Sequence, residues 1–269
     1  MKFRWLYPVA LSMLCAVSIP AQSTASIPPV TGIAHVAYRV ADLDREEAFL
    51  VKLGFQRSFA LTGKDGKLTE TFVKLNDRTF LEVYPQTDPK QPLGWLHVCY
   101  ESEDLANYAA AISGRAGIKP LSVHKAGAGN LITAFPDPDG RNTEFTQYMP
   151  GSKHMADAGQ HILPNRISSV VDGVEFAVPD MATSRKFYEA MGMTVTEANG
   201  GLRVRITTAA SPWIQLSPVG STPRLFFRVP SLKKAEAQLK AAKIDVKKDK
   251  RSLTVTDPEG NLLVFVEGK

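Results

Sequence analysis

The sequence predicts an α+β protein built from four repeated strand–helix–strand units that group into two pairs. Three observations carry this. An extended apolar run ending at a helix-capping Asp or Ser occurs four times: 33–40 into Asp42-Leu43, 95–101 into Asp104-Leu105, 171–178 into Asp180-Met181, and 224–229 into Ser231-Leu232. The turns Asp137-Pro138-Asp139-Gly140 and Asp257-Pro258-Glu259-Gly260 lie 120 residues apart, which points to duplication of a whole half. His35 and Glu82 are 47 residues apart, as are His97 and Glu144, and 62 residues separate both the two histidines and the two glutamates.

Taken in order, the chain opens on Lys2 and Arg4, followed by a mostly apolar run at 5–19. That run is the length of a signal-peptide core and short for a bilayer span. Ser23-Thr24-Ala25 supplies small residues for a cleavage site, so 1–25 are expected to be a cleavable signal peptide that sends the protein to the periplasm or beyond. Leu14 is too large for a good lipoprotein box before Cys15, and no stable membrane anchor is expected.

An N-terminal domain is expected over 30–150. Its first helix starts at the Asp42 cap, carries Leu43, Ala48, Leu50 and Leu53 on its apolar face, and stops at Gly54. Strands at 69–75 and 79–84 flank the turn Asn76-Asp77-Arg78, and strands at 131–135 and 143–148 flank the Asp137 turn, where Pro presets the backbone and Gly relaxes it. Residues 151–167 contain Gly, Ser, His and Pro without periodicity and read as a linker. A C-terminal domain over 168–269 repeats the pattern. One helix follows Asp180, with Met181, Phe187, Tyr188 and Met191 apolar and Gly192 as its stop. A second covers 232–242, with Ala235, Leu239 and Ala242 inward and lysines outward, and strands at 252–256 and 262–266 flank the second Asp-Pro turn.

Composition bounds the function. With 44% hydrophobic and 22% charged residues, the chain is globular rather than disordered. Its formal charge of +5 falls to +3 without Lys2 and Arg4, and the lysines at 243, 247, 248 and 250 have no interleaved aromatics, so no nucleic-acid partner is expected. Only Cys99 remains after signal cleavage, which excludes an internal disulfide.

Two His and two Glu in a register shared by two repeats are what one metal site between those repeats requires. A glutamate inside the apolar strand Phe80-Leu-Glu-Val-Tyr84 is costly to bury without a partner, which also favours a metal.

At Gly32-Ile-Ala-His-Val-Ala-Tyr-Arg-Val-Ala-Asp-Leu43, Phe80-Leu-Glu-Val-Tyr84, Leu96-His-Val-Cys-Tyr100, Asp137-Pro-Asp-Gly-Arg-Asn-Thr-Glu-Phe145 and Phe187-Tyr-Glu-Ala-Met-Gly-Met193, the sequence resembles the vicinal oxygen chelate superfamily, the glyoxalase, fosfomycin-resistance and extradiol-dioxygenase group. The resemblance implies four βαβββ modules forming two paired, cup-shaped mixed sheets with helices outside. It also implies one divalent metal ion (Zn, Ni, Co, Mn or Fe) held by His35, Glu82, His97 and Glu144, with Glu144 or Glu82 as the group that moves a proton. The corresponding C-terminal positions are Gly173, Gln215, Arg224 and Val264, so no metal is expected there.

Strand alternation puts Ala37, Phe80, Tyr84, Cys99, Thr146 and Tyr148 on the ligands' faces, and the last five are predicted to line the substrate pocket. Cys99 reads as a small buried hydrophobe rather than an extra ligand. His124, His154 and His161 fall in loops or the linker and read as surface residues. Lys125, Arg141 and the Gly127-Ala-Gly129 segment, a flap or an ordinary turn, are expected near the cup's mouth.

Three functions follow. The first is an exported, metal-dependent lyase or isomerase of glyoxalase type acting on a small substrate with adjacent oxygens. The second is an extradiol ring-cleaving dioxygenase using Fe(II) or Mn(II) with two His and one carboxylate. Against it stand the fourth, charged ligand Glu82 and the position of the ligands in the N-terminal pair, whereas two-domain dioxygenases of this group typically use the C-terminal pair. The third is a small-molecule-binding or sequestering protein without turnover. A homodimer with swapped units and pairing within one chain are both open.

Overall fold

The computed structural model describes residues 26–119, 121–206 and 212–268; the expected signal peptide, 1–25, lies outside them. The first module comprises β1 (Val30–Val40), α1 (Leu43–Lys52), β2 (Gln56–Thr62), β3 (Leu68–Lys74) and β4 (Phe80–Pro85), and the second β5 (Gly94–Ser102), α2 (Leu105–Ile112), β6 (His124–Lys125), β7 (Leu131–Pro136) and β8 (Asn142–Gln147). After α3 (Lys153–Ala156) the pattern returns as β9 (Val170–Val178), α4 (Met181–Ala190), β10 (Thr194–Ala198), β11 (Gly201–Arg205) and β12 (Trp213–Pro218). The last module is β13 (Arg224–Val229), α5 (Leu232–Ala241), β14 (Lys247–Asp249), β15 (Ser252–Thr256) and β16 (Leu262–Glu267).

These strands form two eight-stranded mixed sheets with the same order, β2-β3-β4-β1-β5-β8-β7-β6 and β10-β11-β12-β9-β13-β16-β15-β14. Within the first, β1 runs parallel to β4 and antiparallel to β5, and β5 runs parallel to β8. The two modules of each half therefore pair within the chain, and the sheets form cups centred on the β4-β1-β5-β8 seam in the first half and β12-β9-β13-β16 in the second.

Local chemistry sets the elements. Asp42, Asp104, Asp180 and Ser231 each accept a first-turn N–H, so all four module helices start where the capping residues stand. Gly54 and Gly192 end α1 and α4 with φ of +83° and +81°, a left-handed geometry that costs glycine little. The face of α1 differs from expectation. Glu46, Phe49 and Leu50 are buried while Ala48 is exposed. Tyr38 makes the buried glutamate tolerable by donating its hydroxyl to Glu46 Oε1 at 2.8 Å.

One apolar core runs through both halves. Phe55 meets Phe227 at 5.7 Å between ring centroids, and the Tyr108 hydroxyl donates to the Met191 carbonyl at 3.0 Å. The two Asp-Pro turns reach across as well: Glu259 accepts from the Ala41 N–H at 2.9 Å, and the Arg141 guanidinium stacks on Phe176 at 4.3 Å.

The segment 151–167 is more than a tether. Ser152 caps α3, and the Lys153 N–H donates to the Ala128 carbonyl at 2.8 Å. Lys74, 1% exposed on β3, bonds Asp157 Oδ2 and Asp77 Oδ1, each at 2.9 Å, and also the Asp157 carbonyl. A buried ammonium needs such partners, and here they pin the connector against the rim of the first cup.

Candidate metal centre

Four side chains from four strands converge on the inner face of the N-terminal cup. His35 comes from β1, Glu82 from β4, His97 from β5 and Glu144 from β8. His35 Nε2 lies 3.2 Å from His97 Nε2, 3.1 Å from Glu82 Oε2 and 3.5 Å from Glu144 Oε1. His97 Nε2 lies 3.4 Å from Glu82 Oε2 and 3.8 Å from Glu144 Oε2. Neighbouring ligands on one ion with bonds of about 2.1 Å are separated by roughly 3.0–3.4 Å; the His35, Glu82 and His97 spacings fit a shared ion, and Glu144 stands slightly further out.

The donor set fits a divalent cation on a second ground. Two imidazole nitrogens face each other beside two carboxylates, and His35, Glu82 and His97 are 5%, 5% and 8% exposed. Glu82 Oε2 is buried with only the two imidazoles beside it. Such a cluster is costly unless a positive charge sits among its lone pairs. In the metal-free cup a proton on His35 supplies part of that charge: burial lowers its pKa, but the adjacent Glu82 carboxylate outweighs this and raises it to about 9. Burial works against the charged form of Glu82 too, yet His35 and His97 hold its carboxyl well below the usual range.

The cluster opens on a cavity of about 290 Å3, the size of a small-molecule site. Tyr84, Thr146 and Tyr148 line it as expected from alternation. Phe80 and Cys99 do not. Both are fully buried behind the ligands: Phe80 packs at 4.7 Å on His154, and the Cys99 thiol, close enough to His35 and Glu144 for their ligand atoms to lie within 4.8 Å, is pushed well up by burial. Alternation assigns a face and not a depth.

Two titratable lining residues escaped sequence reasoning. His154 was expected at the surface and is 4% exposed, in the cavity wall among Phe59, Phe72, Phe80 and Tyr148. The Met149 N–H donates to Asn130 Oδ1 at 3.1 Å, which turns the Asn130 amide so that Nδ2 donates to His154 Nδ1 at 2.9 Å. The proton of neutral His154 is thereby left on Nε2, a buried donor without a partner among the described residues. Burial and the charge on His35 lower its pKa to about 3, so the ring stays neutral. Glu70 on β3 is the other. It shares a hydrogen bond with Tyr84, and burial and the Glu82 carboxylate raise its pKa to about 7.

Of the loop residues, His124, Lys125 and Gly127 stand at the cavity. The 126–129 segment is a closed turn, with the Gly129 N–H on the Ala126 carbonyl at 2.9 Å. Arg141 faces the other half rather than the cup's mouth. His161 is bonded to Asp157 at 2.6 Å, away from the cavity.

A pair of two-module cups, one carrying two His and two Glu on its central seam, is the paired βαβββ architecture of the vicinal oxygen chelate fold. Residues 32–145 match the family model of the Glyoxalase/Bleomycin resistance protein/Dioxygenase superfamily. The match lies within the N-terminal half, and the C-terminal half repeats its topology.

Solved structures share the whole architecture. The 2,3-dioxygenase LapB from Pseudomonas sp. KL28 superposes with a TM-score of 0.69 at 14% identity, over 90% of this chain and 94% of that one. The Mn(II)-bound glyoxalase from Novosphingobium aromaticivorans gives 0.69 at 17% identity, over 90% and 83%. Homoprotocatechuate 2,3-dioxygenase from Arthrobacter globiformis gives 0.64 at 16%, over 92% and 83%. At these identities the likeness is one of fold. No curated protein matches the sequence.

Proposed function

We propose that this chain is an exported, divalent-metal-dependent lyase or isomerase of glyoxalase type, acting on a small substrate with adjacent oxygens. The observation that carries the reading is the second carboxylate. Glu82 and Glu144 both face the paired imidazoles, whereas oxygen-activating sites of the two-His, one-carboxylate kind need only one acid. A bound divalent ion supplies Lewis-acid polarisation of a substrate carbonyl. The chain's own residues do the rest. His35, His97 and one glutamate hold the ion. The other glutamate, Glu144 or Glu82, carries a proton between neighbouring substrate carbons. The neutral His154 offers a fixed hydrogen-bond donor in a wall it shares with Phe72 and Tyr148.

The aromatic wall of Phe72, Tyr84 and Tyr148 favours a second reading, ring cleavage of a catechol on His35, His97 and Glu144. One experiment separates the two. The mature protein and its His97→Ala and Glu144→Ala variants are assayed for metal, for solvent deuterium exchange into α-hydroxyketones, and for oxygen uptake with catechols. About one ion per chain, lost in both variants, together with exchange, supports the lyase or isomerase. Oxygen uptake without exchange establishes the dioxygenase. Tight ligand binding without turnover, surviving metal removal, leaves a sequestering protein.

A further inference from the structure

The C-terminal cup shares the strand order of the N-terminal one and has the opposite charge. Its cavity of about 1670 Å3 is lined by nine lysines and arginines, two of them (Arg45 and Lys52) from α1 of the first half, against five aspartates and glutamates. The N-terminal cavity is lined by Glu70, Glu82 and Glu144, with Lys125 as its lysine.

Register shows what replaced the ligands. Arg203, Gln215, Glu175 and Arg224 form one row across β11, β12, β9 and β13, the row that holds Phe72, Glu82, Ala37 and His97 in the first cup. The next row runs through Arg205, Trp213, Gly173, Phe226 and Val264. Gly173 stands in the place of His35, and the Trp213 indole fills the space: a Cβ at 173 would lie 2.2 Å from Trp213 Cδ2.

The result is an aromatic floor edged by guanidiniums. Arg203 stacks 3.8 Å from the Trp213 ring centroid and donates Nε to Gln215 Oε1 at 3.0 Å, and Trp213 packs on Phe226 at 4.8 Å. Arg224 Nε lies 3.1 Å from Glu175 Oε2, whose other oxygen accepts from Ser217 at 2.7 Å. Among the described residues, the terminal nitrogens of Arg203 and Arg224 have no further partner. Burial and the neighbouring Arg205 work against the charge on Arg203 and outweigh the support of Asp172 and Glu175. A concave, half-buried face with more guanidinium than carboxylate is what an anion relieves, and the planar fork suits a carboxylate.

We propose that the C-terminal cup is a second small-molecule site that takes an aromatic carboxylate, its ring against Trp213 and Phe226 and its carboxylate on Arg203 and Arg224. The test is calorimetric titration of the mature protein with benzoate, and with benzamide as the neutral control. Expected are saturable benzoate binding below about 1 mM, unchanged by EDTA or by His97→Ala, no benzamide binding, and about tenfold weakening in Arg203→Gln and Arg224→Gln. Arg203→Lys, which keeps the charge and loses the fork, serves if the glutamine variants do not fold, and is expected to weaken binding as well. Three results overturn the proposal: binding lost with EDTA or His97→Ala, equal binding of benzamide, or no saturation by about 10 mM.

Discussion

Metal removal should destabilise the N-terminal cup by an amount that grows with pH. In the metal-free cup Glu82 holds the His35 pKa near 9, against the pull of burial. A group whose folded pKa lies above its unfolded value of 6.5 stabilises the fold fully below 6.5, and that contribution is lost as pH rises through about 9. A divalent ion must displace this proton. Its apparent affinity therefore rises about tenfold, and its stabilisation by about 1.4 kcal/mol, per pH unit up to about 9, and then levels off. At a free metal concentration about a hundredfold above the dissociation constant at pH 7, stabilisation is about 2.7 kcal/mol. At roughly 2–4 °C per kcal/mol for a chain near this size, Tm rises by about 5–10 °C. At the same metal concentration and pH 8 the stabilisation is about 4.1 kcal/mol, or about 8–16 °C. Circular-dichroism melts of EDTA-stripped protein with and without Mn(II), at both pH values, measure this. A shift that does not grow with pH, or that survives in His97→Ala, would refute the shared site.

Three further outcomes are expected. Burial and the facing Asp257 carboxylate push the Glu46 carboxyl up to about 8, so its contribution to stability is present below about 4.5 and lost as pH rises towards 8; Glu46→Gln should remove that slope in urea titrations at pH 5 and 8. Asp157→Ala removes the more buried of the two carboxylates on Lys74, leaving Asp77, and should cost about 1–3 kcal/mol, while Lys74→Met, which removes the charge with its need for a partner, should cost less; equal losses would count against a buried ion pair as the clamp. Phe135→Ala empties a fully buried site between Tyr108 and Phe145 and should cost about 3–5 kcal/mol by chemical denaturation, with metal content unchanged.

What the sequence shows and what it hides divide along physical lines. His35, Glu82, His97 and Glu144 were readable because duplicated strands repeat their spacing, and two matching intervals are hard to reach by chance. The helix starts at Asp42, Asp104, Asp180 and Ser231 were readable because capping is local. Phe80 and Cys99 were misplaced because period-two alternation does not tell a rim residue from one beneath the ligands. His154 carries no periodic signal: its burial comes from α3, a single turn held by Lys74 and Ala128, which are distant in sequence. Glu70 lies on the inner face of β3, a strand outside the ligand register, so nothing local marks it. Whether the modules pair within the chain is a matter of loop geometry, and only the β1–β5 ladder settles it.

The anchored connector also bears on how such a chain can change over generations. In a simple tandem duplication the joint between copies is expendable, and either copy can be lost by an early stop. Here the joint carries His154 into the wall of the first cup and is clamped there by Asp157. A truncation after β8 would leave all four ligands in place and take away one side of their chamber. The second copy is thus kept downstream of a segment the first cannot spare, free to acquire a new surface so long as the joint stays in place.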